Sequence, residues 1–172
     1  NWNPNAFNTT FNSTTNNRLN VNGAQALIYT ALEGTTVYAN TTNASPNFRG
    51  LVIGSGSSGT MIITGGTFST AGSLAPDIIG NTSSNTGTLT INGGNYISGT
   101  PGLFLGGGSG NNFLNVQSGT ATITTLSINT TFASTTSLTG GTLEVDKITT
   151  SNVGTYTINL DGGTLKAGAG AS

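Results

Sequence analysis

The sequence contains no cysteine and no histidine, and charged side chains are rare. Of its 172 residues, four are basic and five are acidic. Without cysteine, stability has to come from packing and not from disulfide bonds. Because histidine and cysteine are missing and the acids are dispersed, we predict no metal site and no cofactor. Four scattered basic residues cannot form the positive surface that nucleic acid or an anionic membrane attracts, so we predict neither as a partner.

Long apolar segments are missing as well. No run approaches the roughly 18 residues of a transmembrane helix, so membrane insertion is not expected. Thr, Asn, Gly and Ser make up more than half of the chain, and these residues are poor helix formers. No window has a 3.6-residue apolar period, which predicts an all-β protein. The chain begins with Asn1 and not with Met, which fits either a mature secreted protein or an excised fragment.

What the sequence does contain is a short repeat closed by a pair of small residues. Its five copies are centred 22 to 28 residues apart, on Gly65-Gly66, Gly93-Gly94, Ser118-Gly119, Gly140-Gly141 and Gly162-Gly163. Apolar and polar residues alternate on both sides of the pair, which is typical of a strand with one buried face. Return of the pattern at this spacing predicts a parallel β-solenoid of about seven coils, each burying its apolar side against its neighbours.

A second apolar segment precedes most copies of the repeat. Residues 51–54, 77–80 and 103–106 follow one another at intervals of 26, and residues 126–128 and 147–148 continue the series more loosely. Residues 19–26 fit the glycine-pair repeat, and residues 27–50 are interpreted as one or two diverged coils. The outward positions predict a polar ladder of Thr67, Asn95, Thr120, Thr142 and Thr164. We divide the chain into an irregular N-terminal arm or cap (1–17), the solenoid (18–168) and a short Gly/Ala tail (169–172).

Residues 50–68 resemble the repeats of bacterial autotransporter passengers and related β-helical surface proteins. Residues 140–145 (Gly-Gly-Thr-Leu-Glu-Val) and 162–167 (Gly-Gly-Thr-Leu-Lys-Ala) resemble the passenger-associated repeat. The likeness consists of spacing and glycine placement and covers about residues 50–168. It implies an extracellular or cell-surface location, a structural or adhesive role, and no catalytic residues.

Two motifs suggest chemistry that the surrounding residues do not favour. Residues 54–59 spell Gly-x-Gly-x-x-Gly, but a dinucleotide site needs a helix at the third glycine, and a strand-like alternation follows instead. We therefore predict a corner turn there. Glu144 and Asp146 lie on one face of a predicted strand, roughly 7 Å apart, a separation that suits an inverting glycosidase. No third acid or basic cluster accompanies them and Lys147 is adjacent, so we predict a solvated strand face and no catalytic residue.

Three functional classes remain open. The favoured class is a non-enzymatic extracellular structural or adhesive protein. The second is binding of ice or another ordered surface through a Thr-rich face, suggested by Thr88/Thr90, Thr120/Thr122/Thr124 and Thr155/Thr157 but interrupted at residues 61–63 and 136–138. The third is carbohydrate binding or cleavage along an exposed groove.

The last copy of the repeat, at residues 155–165, is strong, and residues 166–172 are too small to cover a coil. We therefore expect protein outside this stretch to cover the apolar residues Tyr156, Ile158, Leu160 and Leu165. In the favoured version, the first coil or the arm of another copy docks there, the arm through Trp2, Phe7 and Phe11, and the copies form a head-to-tail filament. The competing version is a longer protein of which this chain is a part. The arm has two alternatives, a cap over its own first coil and simple disorder.

Overall fold

The computed structural model describes residues 17–24, 26–37, 48–71, 73, 75–81, 84–107, 110–128, 133–151 and 154–171. In these ranges it contains β-strands and no helix. The strands are β1 (Asn17–Val21), β2 (Leu27–Val37), β3 (Phe48–Ile53), β4 (Gly59–Ser69), β5 (Asp77–Ile79), β6 (Gly87–Ile97), β7 (Leu103–Leu105), β8 (Asn112–Ile128), β9 (Ser134–Leu138), β10 (Thr142–Thr150), β11 (Tyr156–Leu160) and β12 (Thr164–Ala167). Every described strand pairing is parallel, and the fold is a β-solenoid, as the repeat predicts.

The strands stack in three columns, which we call faces 1, 2 and 3. Face 1 contains β1, β3, β5, β7 and the last residues of β8 and β10. Face 2 contains the start of β2, β4, β6 and β8, followed by β9 and β11. Face 3 contains the ends of β2, β4 and β6, the middle of β8, the start of β10, and β12.

The turns of the chain can be counted from the residues that occupy one position on face 1. This position is occupied in succession by Leu51, Asp77, Leu103, Leu126 and Ile148, so four complete turns separate the first of these from the last. One turn precedes β3, and β11 and β12 belong to the turn that begins at Ile148. We name turns by their face-1 strand: turn 2 begins at β3, turn 3 at β5, and the last turn at the end of β10.

The prediction of about seven coils was therefore too high. Its error lies in counting residues 19–26 and residues 27–50 as separate coils, since β1 lies on face 1 and β2 runs through faces 2 and 3 of the same turn. The interpretation of residues 19–26 was also wrong. Because β1 pairs with β3, with Leu19 beside Leu51, these residues begin on face 1 and are not a copy of the glycine-pair repeat.

The glycine pair forms the corner between faces 2 and 3. Gly93 and Gly119 have φ angles of 117° and 79°, which a residue with a side chain rarely adopts. A Cβ atom on Gly93 would lie 2.7 Å from the Thr64 carbonyl oxygen of the preceding turn, and one on Gly119 would lie 2.0 Å from the Gly94 oxygen. Glycine recurs here because the backbone both turns and touches the turn below it.

The core is built from side chains that point into the solenoid and repeat at the same position in each turn. On face 2 these are Met61, Leu89 and Leu114 in one ladder and Ile63, Ile91, Val116 and Leu138 in the next; on face 3 they are Phe68, Tyr96, Ala121 and Leu143. All are buried, and their removal from water is the main force that holds the stack together. The polar ladder Thr67, Asn95, Thr120, Thr142 and Thr164 lies in register on face 3, as predicted.

The Gly-x-Gly-x-x-Gly segment is a corner, as predicted. Gly54 has a φ of 79° and turns the chain away from face 1, and β4 begins directly at Gly59. The amides of Ser55 and Gly56 donate to the side-chain oxygen of Asn22 in the turn before, at 2.7 and 3.3 Å. A strand and not a helix follows the third glycine, so the helix N-terminus that would hold a pyrophosphate is missing.

Candidate functional site

The inward ladders lose their cover at the last turn. Leu138 on β9 and Leu143 on β10 are 0% and 1% exposed, whereas their register partners one turn later, Leu160 and Leu165, are 58% and 45% exposed. Tyr156 is exposed as well, and Ile158 is half-buried against the core. Among the described strands, β11 pairs only with β9 and β12 only with β10, so each has one free edge.

Four of the predicted assembly contacts therefore lie together on one end of the solenoid. Tyr156, Ile158 and Leu160 follow one another at alternate positions of β11 on face 2, and Leu165 lies on β12 on face 3. We call these four residues the open end. The other three predicted contacts, Trp2, Phe7 and Phe11, lie outside the residues that the structure describes.

A buried carboxylate interrupts the leucine ladder of face 1. Asp77 occupies the position that Leu51 and Leu103 fill in the neighbouring turns, and it is buried. Its Oδ1 accepts a hydrogen bond from the Leu51 amide at 2.6 Å, and its Oδ2 accepts from the Thr70 hydroxyl at 2.5 Å and from the Tyr96 hydroxyl. The carboxylate thus joins the backbone of turn 2, the corner that leaves face 3, and a side chain of face 3 in turn 3.

Burial shifts the titration of both groups in this cluster. It raises the pKa of Asp77 from 3.8 to about 6, although hydrogen bonds from Thr70, Tyr96 and Leu51 favour the ionised form and oppose the shift. Burial also raises the pKa of Tyr96 well above its ordinary value, and the neighbouring charge of Asp77 adds to that effect. Tyr96 therefore stays a neutral hydrogen-bond donor over the range in which Asp77 titrates.

The 26-residue repeat predicts the strand that contains Asp77 but gives this residue no role. The sequence does indicate that this residue is unusual, because the 26-residue interval puts Asp77 at a position that is leucine in the neighbouring repeats, at Leu51 and Leu103. A charged residue in an otherwise apolar ladder needs partners, because an unpaired buried charge is costly. The partners themselves, Thr70 and Tyr96, come from a corner and from another face, which one-dimensional alternation does not bring together.

Glu144 and Asp146 are engaged in contacts between the last two turns. The Glu144 carboxylate accepts from the Lys166 ammonium group at 2.9 Å, in an ion pair whose lysine is largely open to solvent and whose glutamate is partly buried. Asp146 accepts from the Gly170 amide at 3.0 Å, and Gly168 also packs against its carboxylate. Both carboxylates therefore have structural partners, and exposed pairs of this kind typically contribute less than about 1 kcal/mol.

The threonine pairs do not share one face. Thr88 and Thr90 lie on face 2, whereas Thr120 and Thr122 lie on face 3. On face 3, the position of Thr122 is taken by Ile97 in the turn before and by Glu144 in the turn after. A binding surface for ice needs the hydroxyl pair to repeat on successive turns of one face, and this arrangement does not supply it.

Among the described side chains, two hydroxyl groups are buried in the core without a hydrogen-bond partner. Ser134 Oγ and Thr136 Oγ1, at alternate inward positions of β9, make no hydrogen bond to any protein atom. Thr136 stacks between Leu114 and Ile158, in a ladder that is apolar elsewhere. These hydroxyls are a cost to stability, since a buried polar group without a partner loses its bonds to water.

No group of acidic, histidine or cysteine side chains in the described ranges is placed to hold a metal ion. The same part of the chain forms no helix with the length and apolarity that crossing a membrane would require. Comparison with protein-family models, curated proteins and solved structures finds no match to this chain.

Proposed function

We propose that this chain is a non-enzymatic structural or adhesive β-solenoid of the cell surface or extracellular space that assembles end to end through its open end. The observation that carries the proposal is the step in burial between Leu138 and Leu160, and between Leu143 and Leu165, in adjacent turns of the same ladders. A further turn added to the stack there would bury these leucines and pair the free edges of β11 and β12.

A second copy of the chain is the partner that fits this end. In the described structure, β1 and β2 lie at the opposite end of the stack and each pairs on one side only. Leu27 and Tyr29 of β2 have the same two-residue spacing as Ile158 and Leu160 of β11, so β2 of one copy has the register to pair with β11 of another. Tyr29 is buried within its own copy, so this contact would use the unpaired backbone edge of β2 and the partly buried Leu27. Such a contact joins two different surfaces and does not close, and its repetition gives a head-to-tail filament.

The proposed location and non-enzymatic role are supported by the sequence and by the contacts of two carboxylates. The likeness of residues 50–168 to passenger repeats favours a secreted or surface-exposed module. The contacts of Glu144 with Lys166 and of Asp146 with Gly170 give a structural role to the carboxylate pair that suggested glycosidase chemistry, which supports a non-enzymatic function. Few charges and a surface of Thr, Asn and Ser suit a rod whose role is mechanical or adhesive.

Sedimentation of the 172-residue chain tests the assembly. We expect the wild type to form concentration-dependent polymers at micromolar concentration and the Leu160→Glu/Leu165→Glu double variant to remain monomeric. Both leucines are about half exposed in a single copy, so glutamate side chains at these positions can stay hydrated in the monomer. Assembly would bury the two charges, which disfavours the contact. Circular dichroism checks that the variant keeps its β-structure.

Gln117→Glu is the control. Gln117 is an exposed residue of β8 in the middle of the stack, where the strands pair on both sides, and its variant should still polymerise. Deleting residues 1–16 asks whether the arm contributes: collapse to monomer would place the docking segment there, whereas retained polymer would place it in the first turn. A wild-type chain that stays monomeric at high micromolar concentration would overturn the proposal.

A further inference from the structure

The cluster of Asp77, Thr70 and Tyr96 joins parts of the solenoid that the strand ladders do not join. Thr70 lies at the corner between β4 and β5, Asp77 begins β5 on face 1, and Tyr96 lies on β6 on face 3. The Asp77 carboxylate links these two faces across the interior, and through the Leu51 amide it links turn 3 to turn 2. Loss of the cluster would therefore loosen one turn against the next.

The site accepts a proton without moving a heavy atom. When Asp77 is ionised, the Thr70 hydroxyl donates to Oδ2 at 2.5 Å and its oxygen accepts from the Gly99 amide at 2.9 Å. The same hydroxyl lies 3.3 Å from the Ile97 carbonyl oxygen. When Asp77 is protonated, Oδ2–H donates to Thr70 Oγ1 and the Thr70 proton turns to Ile97. Each donor thus has an acceptor in both states, as a buried network requires.

The ionised and protonated forms of Asp77 differ in the free energy that burial costs them. Among the side chains that the structure describes, Tyr96 is the titratable group that faces Asp77, while Leu51 and Leu103 stack on it from the neighbouring turns. The ionised carboxylate is thus bound by neutral hydrogen-bond donors in an apolar ladder. It has lost its hydration there, and no cationic group among the described side chains compensates for that loss. The protonated form avoids that loss.

We propose that Asp77, Thr70 and Tyr96 form a buried proton-binding site that holds turns 2 and 3 together more firmly in acid than at neutral pH. Burial raises the pKa of Asp77 to about 6 in the folded chain, from 3.8. Because the folded state binds this proton more tightly than the unfolded state does, the stabilisation is fully present below pH 3.8 and is lost as the pH rises through about 6. Above this pH range, the contribution of Asp77 to the free energy of unfolding no longer changes with pH.

The direct test is a carbon-13 NMR titration of the Asp77 carboxyl group in the wild-type chain. We expect a midpoint near 6. Tyr96→Phe removes one donor to the ionised form, so its midpoint should lie higher than that of the wild type. A wild-type midpoint at or below 4.5, or an unchanged midpoint in Tyr96→Phe, would overturn the proposal.

The consequence for cohesion is measured by hydrogen exchange of the Leu51 amide and by equilibrium unfolding at pH 4 and pH 8. We expect Leu51 protection to be higher in acid, and we expect the pH change to shift the wild-type unfolding constant by about 100-fold more than that of Asp77→Asn. Asp161→Asn, which removes an exposed carboxylate, is the matched control and should follow the wild type. Equal pH dependence in wild type and Asp77→Asn would refute the proton-binding role, and the NMR titration decides the matter if Asp77→Asn does not fold.

Discussion

Thr136 shows how one misplaced hydroxyl weakens a repeating core. Its methyl-bearing side chain stacks between Leu114 and Ile158, and its hydroxyl has no partner. Thr136→Val replaces that hydroxyl with a methyl group of similar size, so we expect the free energy of unfolding to rise by about 1 kcal/mol. Chemical denaturation measures the change.

The control for this substitution is the neighbouring residue Thr135. It points outward on the same strand and is half-buried, so Thr135→Val should change the free energy of unfolding by less than about 0.5 kcal/mol. A loss of stability in Thr136→Val would contradict the prediction and would indicate that the hydroxyl is hydrogen-bonded in solution.

The sequence predicts which side chains are buried better than it predicts their hydrogen-bond partners. Alternation placed Met61, Leu89 and Leu114 in one buried ladder, because each strand position fixes which way a side chain points. It did not reveal that Asp77 bonds to Tyr96, since that contact depends on how far face 1 lies from face 3 across the interior. The distance between the faces of a solenoid depends on the conformation of its corners, and the alternation of apolar and polar residues does not predict that conformation.

Two equivalent leucines on paired strands show how much a neighbouring strand contributes to stability. Leu143 on β10 and Leu165 on β12 share one ladder position, but Leu143 is covered on both sides and Leu165 on one. In the monomer, we expect Leu143→Ala to lower the free energy of unfolding by about 3 kcal/mol and Leu165→Ala by about 1 kcal/mol.

Denaturation at low micromolar concentration makes this comparison, and far-UV circular dichroism checks that both variants keep the solenoid. The same substitution at the same ladder position is its own control, because side-chain chemistry and backbone are matched. Equal losses for the two variants would show that the last strand is covered in the monomer. A larger loss for Leu165→Ala at high concentration than at low concentration would show that assembly adds the missing cover.

Strand assignment from sequence succeeded where the corner residues are glycine and failed where they are not. The pairs at Gly93-Gly94 and Gly140-Gly141 mark the turn from face 2 to face 3, since a Cβ atom on Gly93 or Gly141 would collide with the turn below. Before β3 the chain turns without such a pair. As a result the alternation predicts a glycine-pair strand at residues 19–26, where β1 lies on face 1, and it does not indicate that β2 completes the same turn.

Across the described stack, strand pairing joins each turn to the turns before and after it, so stability is distributed along the stack. Turns in the middle are held from both sides, whereas the last turn is held from one side and carries exposed leucines at Leu160 and Leu165. In such a linear array, opening starts at the end with the least cover and spreads inward. We therefore expect amide hydrogen exchange in the monomer to be slowest in β6 and β8 and fastest in β11 and β12.

Hydrogen-exchange mass spectrometry at two protein concentrations tests this order and its link to assembly. At low concentration β11 and β12 should exchange first; at concentrations where polymers form, their protection should rise while that of β6 stays unchanged, because only the end turn gains a neighbour. Leu160→Glu/Leu165→Glu, which is designed to remain monomeric, should show fast exchange in β11 and β12 at both concentrations. Uniform protection along the stack would contradict the nearest-neighbour view, since the end turn would then be as firmly held as a turn covered on both sides.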